Sequence, residues 1–126
     1  MKSNFLIAFL LILTFVSCKK SESNPPNSTS PTIVKYQVTS TNSSGQFMAA
    51  YNNKDAAYIS GLYQSGWETS FTPTSKPFTA TLNVNPQSAT MTVTLKIFVN
   101  NNVVKEITGQ ISSVNGTSQQ LQYVVN

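Results

Sequence analysis

The chain predicts an all-β domain, a two-layer antiparallel sandwich of about seven short strands, filling residues 32–126. Three observations predict it. Apolar and polar residues alternate with period two from Thr32 onward, turn-forming residues interrupt them at short intervals, and no helical period of useful length follows residue 17. Val34, Tyr36 and Val38 alternate with Lys35, Gln37 and Thr39 before a Thr41–Gly45 turn. A second strand sets Phe47, Ala49 and Tyr51 on one side and is closed by Asn52-Asn53-Lys54-Asp55. Tyr58, Ile59, Leu62 and Tyr63 suggest a short strand around 57–64, and Trp67, Thr69 and Phe71 define the next, ended by Pro73.

The clearest strands follow. Phe78, Ala80, Leu82 and Val84 are expected to face in, with Thr79, Thr81 and Asn83 out. Met91, Val93, Leu95, Ile97 and Val99 face in on the strand after it, which places Phe98 outside. Asn100-Asn101-Asn102 supplies residues that tolerate left-handed φ, so 89–99 and 103–108 form a tight hairpin. Asn115-Gly116 marks the last turn, and Leu121, Tyr123 and Val125 complete the core face. About 95 residues suffice for one small sandwich, with no room for a deep multi-part active site.

Ahead of the domain, Met1-Lys2-Ser3-Asn4 precedes an apolar run from Phe5 to Val16 broken only by Thr14. A basic start, about a dozen apolar residues and a small residue before the cut make a secretory signal. A membrane-spanning helix needs about 20 apolar residues, so the run is too short to span comfortably. Phe15-Val16-Ser17-Cys18 resembles the lipobox of bacterial lipoproteins. That resemblance implies cleavage between Ser17 and Cys18 and lipid (palmitate among the acyl chains) on the Cys18 thiol. Phe15 stands where leucine is usual. Residues 1–17 are then the signal peptide, and 18–31 a lipidated cysteine with its tether. The stretch 19–31 has no apolar residue except prolines, so it cannot bury surface and is expected to be disordered. About 13 such residues reach roughly 20 Å.

Lys19 replaces the aspartate that marks inner-membrane retention in many lipoproteins, so the resemblance implies the outer membrane. The run Cys18-Lys19-Lys20-Ser21-Glu22 is similar to lipoproteins of Bacteroidota, where acids after the cysteine promote surface display. With Glu22 the only acid there, a periplasm-facing position is favoured over the surface.

The domain itself resembles the mycobacterial membrane-protein accessory family MmpS. The similarity is carried by Val34–Thr39, Gly66–Phe71 and Ile97–Glu106, in the family's order. It implies an immunoglobulin-like sandwich and an accessory role beside envelope exporters. Here a lipid on Cys18 would replace the family's membrane helix, and the family's sandwich cysteines are absent.

Composition excludes much chemistry. The chain has one cysteine and no histidine, and its eight basic residues are all lysine. An intrachain disulfide is impossible, and the commonest general base and metal ligand are missing. The net charge of +4 falls to +3 when Lys2 leaves with the leader, and the lysines are dispersed. Nucleic acid is therefore not an expected partner, because it calls for a clustered basic face. The abundant Ser, Thr and Asn suit hydroxyl-rich outer strand faces in an extracytoplasmic domain.

Asp55, Glu68 and Glu106 are the domain's only carboxylates. Their spacing suggests no glycosidase pair, which would need two carboxyls about 5–10 Å apart. Asp55 and Glu68 are expected on solvated loops and Glu106 on an exposed strand face. Asn52-Asn53-Lys54-Asp55 is too poor in acids for calcium. Serine catalysis would have to use lysine as its base, and residues 32–126 contain neither Ser-x-x-Lys nor Gly-x-Ser-x-Gly. No enzymatic activity and no cofactor are expected.

Tyr58, Tyr63, Trp67 and Phe98 are the candidate binding residues, since aromatic faces stack on sugars or anchor proteins. The competing expectation packs Trp67 between the sheets. Two functions follow: a lipid-anchored, non-enzymatic adaptor for an envelope protein complex, with transport as one setting, or a carbohydrate-binding module. Three exposed coplanar rings would favour the second.

Overall fold

The computed structural model describes residues 30–87 and 90–126; the expected leader, residues 1–17, and Cys18 lie outside the described residues. The expected all-β sandwich is present, with eight strands: β1 (Val34–Ser40), β2 (Gln46–Asn52), β3 (Tyr58–Gln64), β4 (Trp67–Phe71), β5 (Phe78–Pro86), β6 (Met91–Val99), β7 (Asn102–Ile111) and β8 (Gln119–Val125). They form two antiparallel four-stranded sheets, ordered β4-β1-β6-β7 and β3-β2-β5-β8. The architecture is the two-layer one expected, with its own strand order: β1 lies between β4 and β6, not beside β2. The weakly patterned segment 57–64 is a full seven-residue edge strand. Its alternation is blurred because an edge strand leaves even inward-facing side chains partly wet.

Period two sets which residues meet. Val34, Tyr36 and Val38 of β1 and Val93, Leu95 and Ile97 of β6 are fully buried, against Phe47, Ala49, Leu82 and Val84 of the other sheet. The β6–β7 hairpin turns on Asn100 and Asn101, both with positive φ (50° and 66°), with Val99 paired to Asn102. That is the two-residue turn whose twist matches the strands, and asparagine accepts it at little cost. A register shift between Ile97 and Phe98 bulges the hairpin beyond it.

One polar contact crosses the core. β2 pairs with β5 only as far as Tyr51 opposite Leu82. The next side chain, Asn52, takes over the vacated ladder: its Nδ2 donates to the Thr79 carbonyl and its Oδ1 accepts from the Thr81 amide at 2.8 Å. Tyr36, from the opposite sheet, donates its hydroxyl to the same Oδ1 at 2.6 Å. The Thr81 amide also lies 3.2 Å from the Tyr36 hydroxyl. Thr81, expected outside, is buried at this junction. Burial pushes the Tyr36 phenol well above its ordinary range, and burial likewise raises Tyr51.

Asn52→Ala strips partners from the Tyr36 hydroxyl and the Thr79 carbonyl, and should cost about 2–3 kcal/mol. Tyr36→Phe leaves Asn52 bonded to β5 and should cost only about 1 kcal/mol. Urea melts of the two variants test the ranking. Because both phenols hold their protons more tightly folded than unfolded, stability is full below pH 10 and falls as pH rises above it. Tyr36→Phe should flatten that decline in melts between pH 8 and 11.

Candidate functional site

Tyr63 and Trp67 flank the two-residue Ser65-Gly66 turn that carries the chain from β3 in one sheet to β4 in the other. Gly66 has φ of 89°, which a side chain would strain. Their rings stack at 4.5 Å with 30° between planes, and both are half-buried against the core. From Trp67 an aromatic chain runs inward: Tyr51 at 5.2 Å, then Tyr36, Phe71 and Phe78 in steps of 5.6–5.7 Å. Trp67 therefore closes the open side of the sandwich between edge strands β3 and β4. Gly61 makes room for this: a Cβ there would lie 2.7 Å from the Tyr63 hydroxyl.

Tyr58 is placed apart from this pair. Tyr63 is opposite buried Phe47, while Tyr58 is opposite Asn52 and shares its parity with Leu62, opposite Met48. Tyr58 thus lies on the outer face of its sheet and is 67 % exposed, whereas Tyr63 and Trp67 line the inner side. The three rings do not form one coplanar platform. Phe98 points outward as expected but is half-covered, because cross-strand Lys35 sets its ammonium 4.4 Å from the ring centre.

The carboxylates also have places. Glu68 lies on β4, not on a loop, 3.6 Å from Lys35, and Glu106 on β7 is 3.2 Å from Lys96. Asp55 sits in the β2–β3 loop, where Lys54 at 2.6 Å holds its carboxyl below the usual range. Glu68 and Glu106 occupy the two opposite edges of one sheet, with β1 and β6 between them. Three strand spacings, about 14 Å, separate their backbones, and each carboxylate is engaged by its own lysine. Among the described residues no three His, Cys, Asp or Glu group as metal ligands.

Two features escaped the sequence. The first is a shallow cleft of about 450 Å³ at the end where β1 begins, lined by Thr32, Lys76, Asn100, Asn102 and Tyr123 among others. Those residues come from separated segments, so no local motif signals it. The second is an asymmetry of charge. Lys35, Glu68, Lys96, Lys105 and Glu106 all belong to the β4-β1-β6-β7 sheet. The β3-β2-β5-β8 sheet contains no charged residue in any strand. Its outer face carries Tyr58, Leu62 (57 % exposed) and Val124 (50 % exposed), with Met48 and Ala50 half-buried between strands. Adding the sheet assignment to the sequence reveals this; alternation alone does not.

No protein-family model matches the chain, and no curated protein matches it. Gly61→Ala should push the tip of Tyr63 off Trp67, shifting Trp67 emission while costing about 1 kcal/mol or less, because a flexible ring tip can yield. Unchanged emission would mean that Gly61 is not what seats the Tyr63–Trp67 stack.

Proposed function

We propose that this chain is a lipid-anchored, non-enzymatic adaptor of the bacterial cell envelope, binding a protein partner through the uncharged outer face of the β3-β2-β5-β8 sheet. The observation that carries it is the segregation of charge: all strand charges lie on one sheet, and the other exposes Tyr58, Leu62 and Val124 without them. Charge depletion with exposed aromatic and aliphatic side chains is how protein-binding surfaces differ from ordinary ones. On the charged sheet each glutamate is matched to a lysine, which gives that face a solvated, self-satisfied surface.

The anchor is Cys18, read from the leader and Ser17-Cys18. It places the domain on the outer membrane, facing the periplasm. Tethering raises the effective concentration of a membrane-bound partner, so a modest interface suffices. The envelope export machinery beside which MmpS proteins work is one partner setting of this kind. A sugar-binding role draws less support, because Tyr58 lies on the opposite face from the Tyr63–Trp67 pair.

Crosslinking in intact envelopes followed by affinity recovery tests the proposal. Met48→Lys, which puts a charge in the middle of the neutral face, should cut partner recovery about tenfold or more. Lys105→Glu on the other sheet should leave it unchanged. Cys18→Ala should lower recovery by releasing the domain. Undiminished recovery with Met48→Lys would refute the neutral face as the binding surface, and undiminished recovery with Cys18→Ala would refute the tethering.

A further inference from the structure

The neutral sheet has a second property beyond its face. Its outermost strand, β3, is paired only on its β2 side among the described residues. Soluble proteins normally guard such an edge with charge, proline, a bulge or shortness. The other edges have such guards or neighbours. β4 is a five-residue strand carrying Glu68, and β7 carries Lys105, Glu106 and the bulge. β8 lies beside β7, with Gln119 donating to the Gln110 carbonyl across the gap. β3 has none: Tyr58-Ile59-Ser60-Gly61-Leu62-Tyr63-Gln64 is uncharged, free of proline and regular in register along β2.

We infer that β3 pairs antiparallel with β3 of a second copy, about a two-fold axis through Gly61, joining the two neutral sheets into one eight-stranded sheet. An occupant of this edge must bring its own free strand edge, no charge to bury, and apolar side chains at matching positions. β3 itself meets all three conditions. The register that pairs all seven residues centres on Gly61. It sets Ser60 opposite Leu62 of the second copy and Ile59 opposite Tyr63.

That register covers every exposed apolar side chain of the strand. Ile59, 40 % exposed although it faces inward, meets the Tyr63 ring across the pair. On the outer face Leu62 falls diagonal to both Leu62 and Tyr58 of the other strand, within reach of large side chains. No like charges meet, because neither strand has any. At the axis glycine meets glycine, so no side chain of that position stands between the two strands, and on the inner side the Tyr63 hydroxyl of each copy lies over its own Gly61. The interface is isologous and closes on itself, giving a dimer and not a fibre. The joined sheet doubles the uncharged face. The inference therefore extends the adaptor proposal and rests on that neutral surface being functional.

Mixed cysteine crosslinking in the anchored protein tests it. Ser60→Cys and Leu62→Cys versions of the full chain, distinguishable by mass, are expressed together, and intact envelopes are oxidised with copper phenanthroline. Both positions are on the outer face of the strand, and Trp67 emission matching the parent verifies folding of each. The expected product is a disulfide dimer joining Ser60→Cys of one copy to Leu62→Cys of the other, with none from a Thr79→Cys control. Disulfides from β3 to a different protein would overturn the second-copy inference and leave the adaptor proposal standing. Absence of any β3 crosslink, with partner recovery still sensitive to Met48→Lys, would overturn the inference alone. Loss of both signals would overturn both.

Discussion

The hydroxyl of Tyr36 reaches out of one sheet to Asn52 in the other, and this crossing governs how the sandwich is assembled. Apolar packing alone is permissive: buried Val, Leu and Ile residues hold two sheets together without dictating their offset. A hydrogen bond between buried groups has a direction and a length, and misalignment leaves polar atoms without water or partner. Asn52 couples that demand to the sheet edge. By taking the ladder position beside Thr79 and Thr81 that follows the last β2–β5 pair, it satisfies backbone groups of β5 where β2 ends.

From there the aromatic chain does the closing. Tyr36 and Tyr51 lie at its middle and Trp67 and Tyr63 at its outer end, so one run of rings links the crossing to the rim. Trp67 thereby joins core and surface: its inner edge packs on Tyr51 while its outer side stacks with Tyr63. The aromatic group, which the sequence offers either as a ligand platform or as packing between the sheets, serves in large part to seal a sandwich whose β3 and β4 edges do not pair with each other. Outside this seal lies the uncharged outer face of the β3-β2-β5-β8 sheet, the surface proposed for binding a partner.

How much of this was legible in the sequence varies with the range of the interactions. β6 and its Asn100-Asn101 turn were legible because alternation and turn chemistry act over a few residues. The inward set Phe78, Ala80, Leu82 and Val84 was legible for the same reason. β3 reads poorly because it is an edge strand where one flank faces water and the pattern is diluted, whereas the Trp67–Phe71 alternation is regular and by itself puts Glu68 on a strand and not on a loop. The strand order, the Asn52 junction and the cleft around Lys76 depend on contacts between distant segments, which no local rule encodes. The neutral sheet is an intermediate case: every residue of it was visible, but charge segregation has meaning only once strands are allotted to sheets. Ser17 and Cys18 stand on their own local pattern, outside the described residues.

The adaptor and pairing proposals both require the neutral sheet and its β3 edge to be covered in the native membrane. Amide hydrogen exchange measured on the same protein in native membrane vesicles and in dilute detergent addresses it most directly. The account predicts that β3 amides, residues 58–64, exchange markedly more slowly in the vesicles, with β7 amides at the charged edge unchanged. Equal exchange of β3 in both states would contradict it.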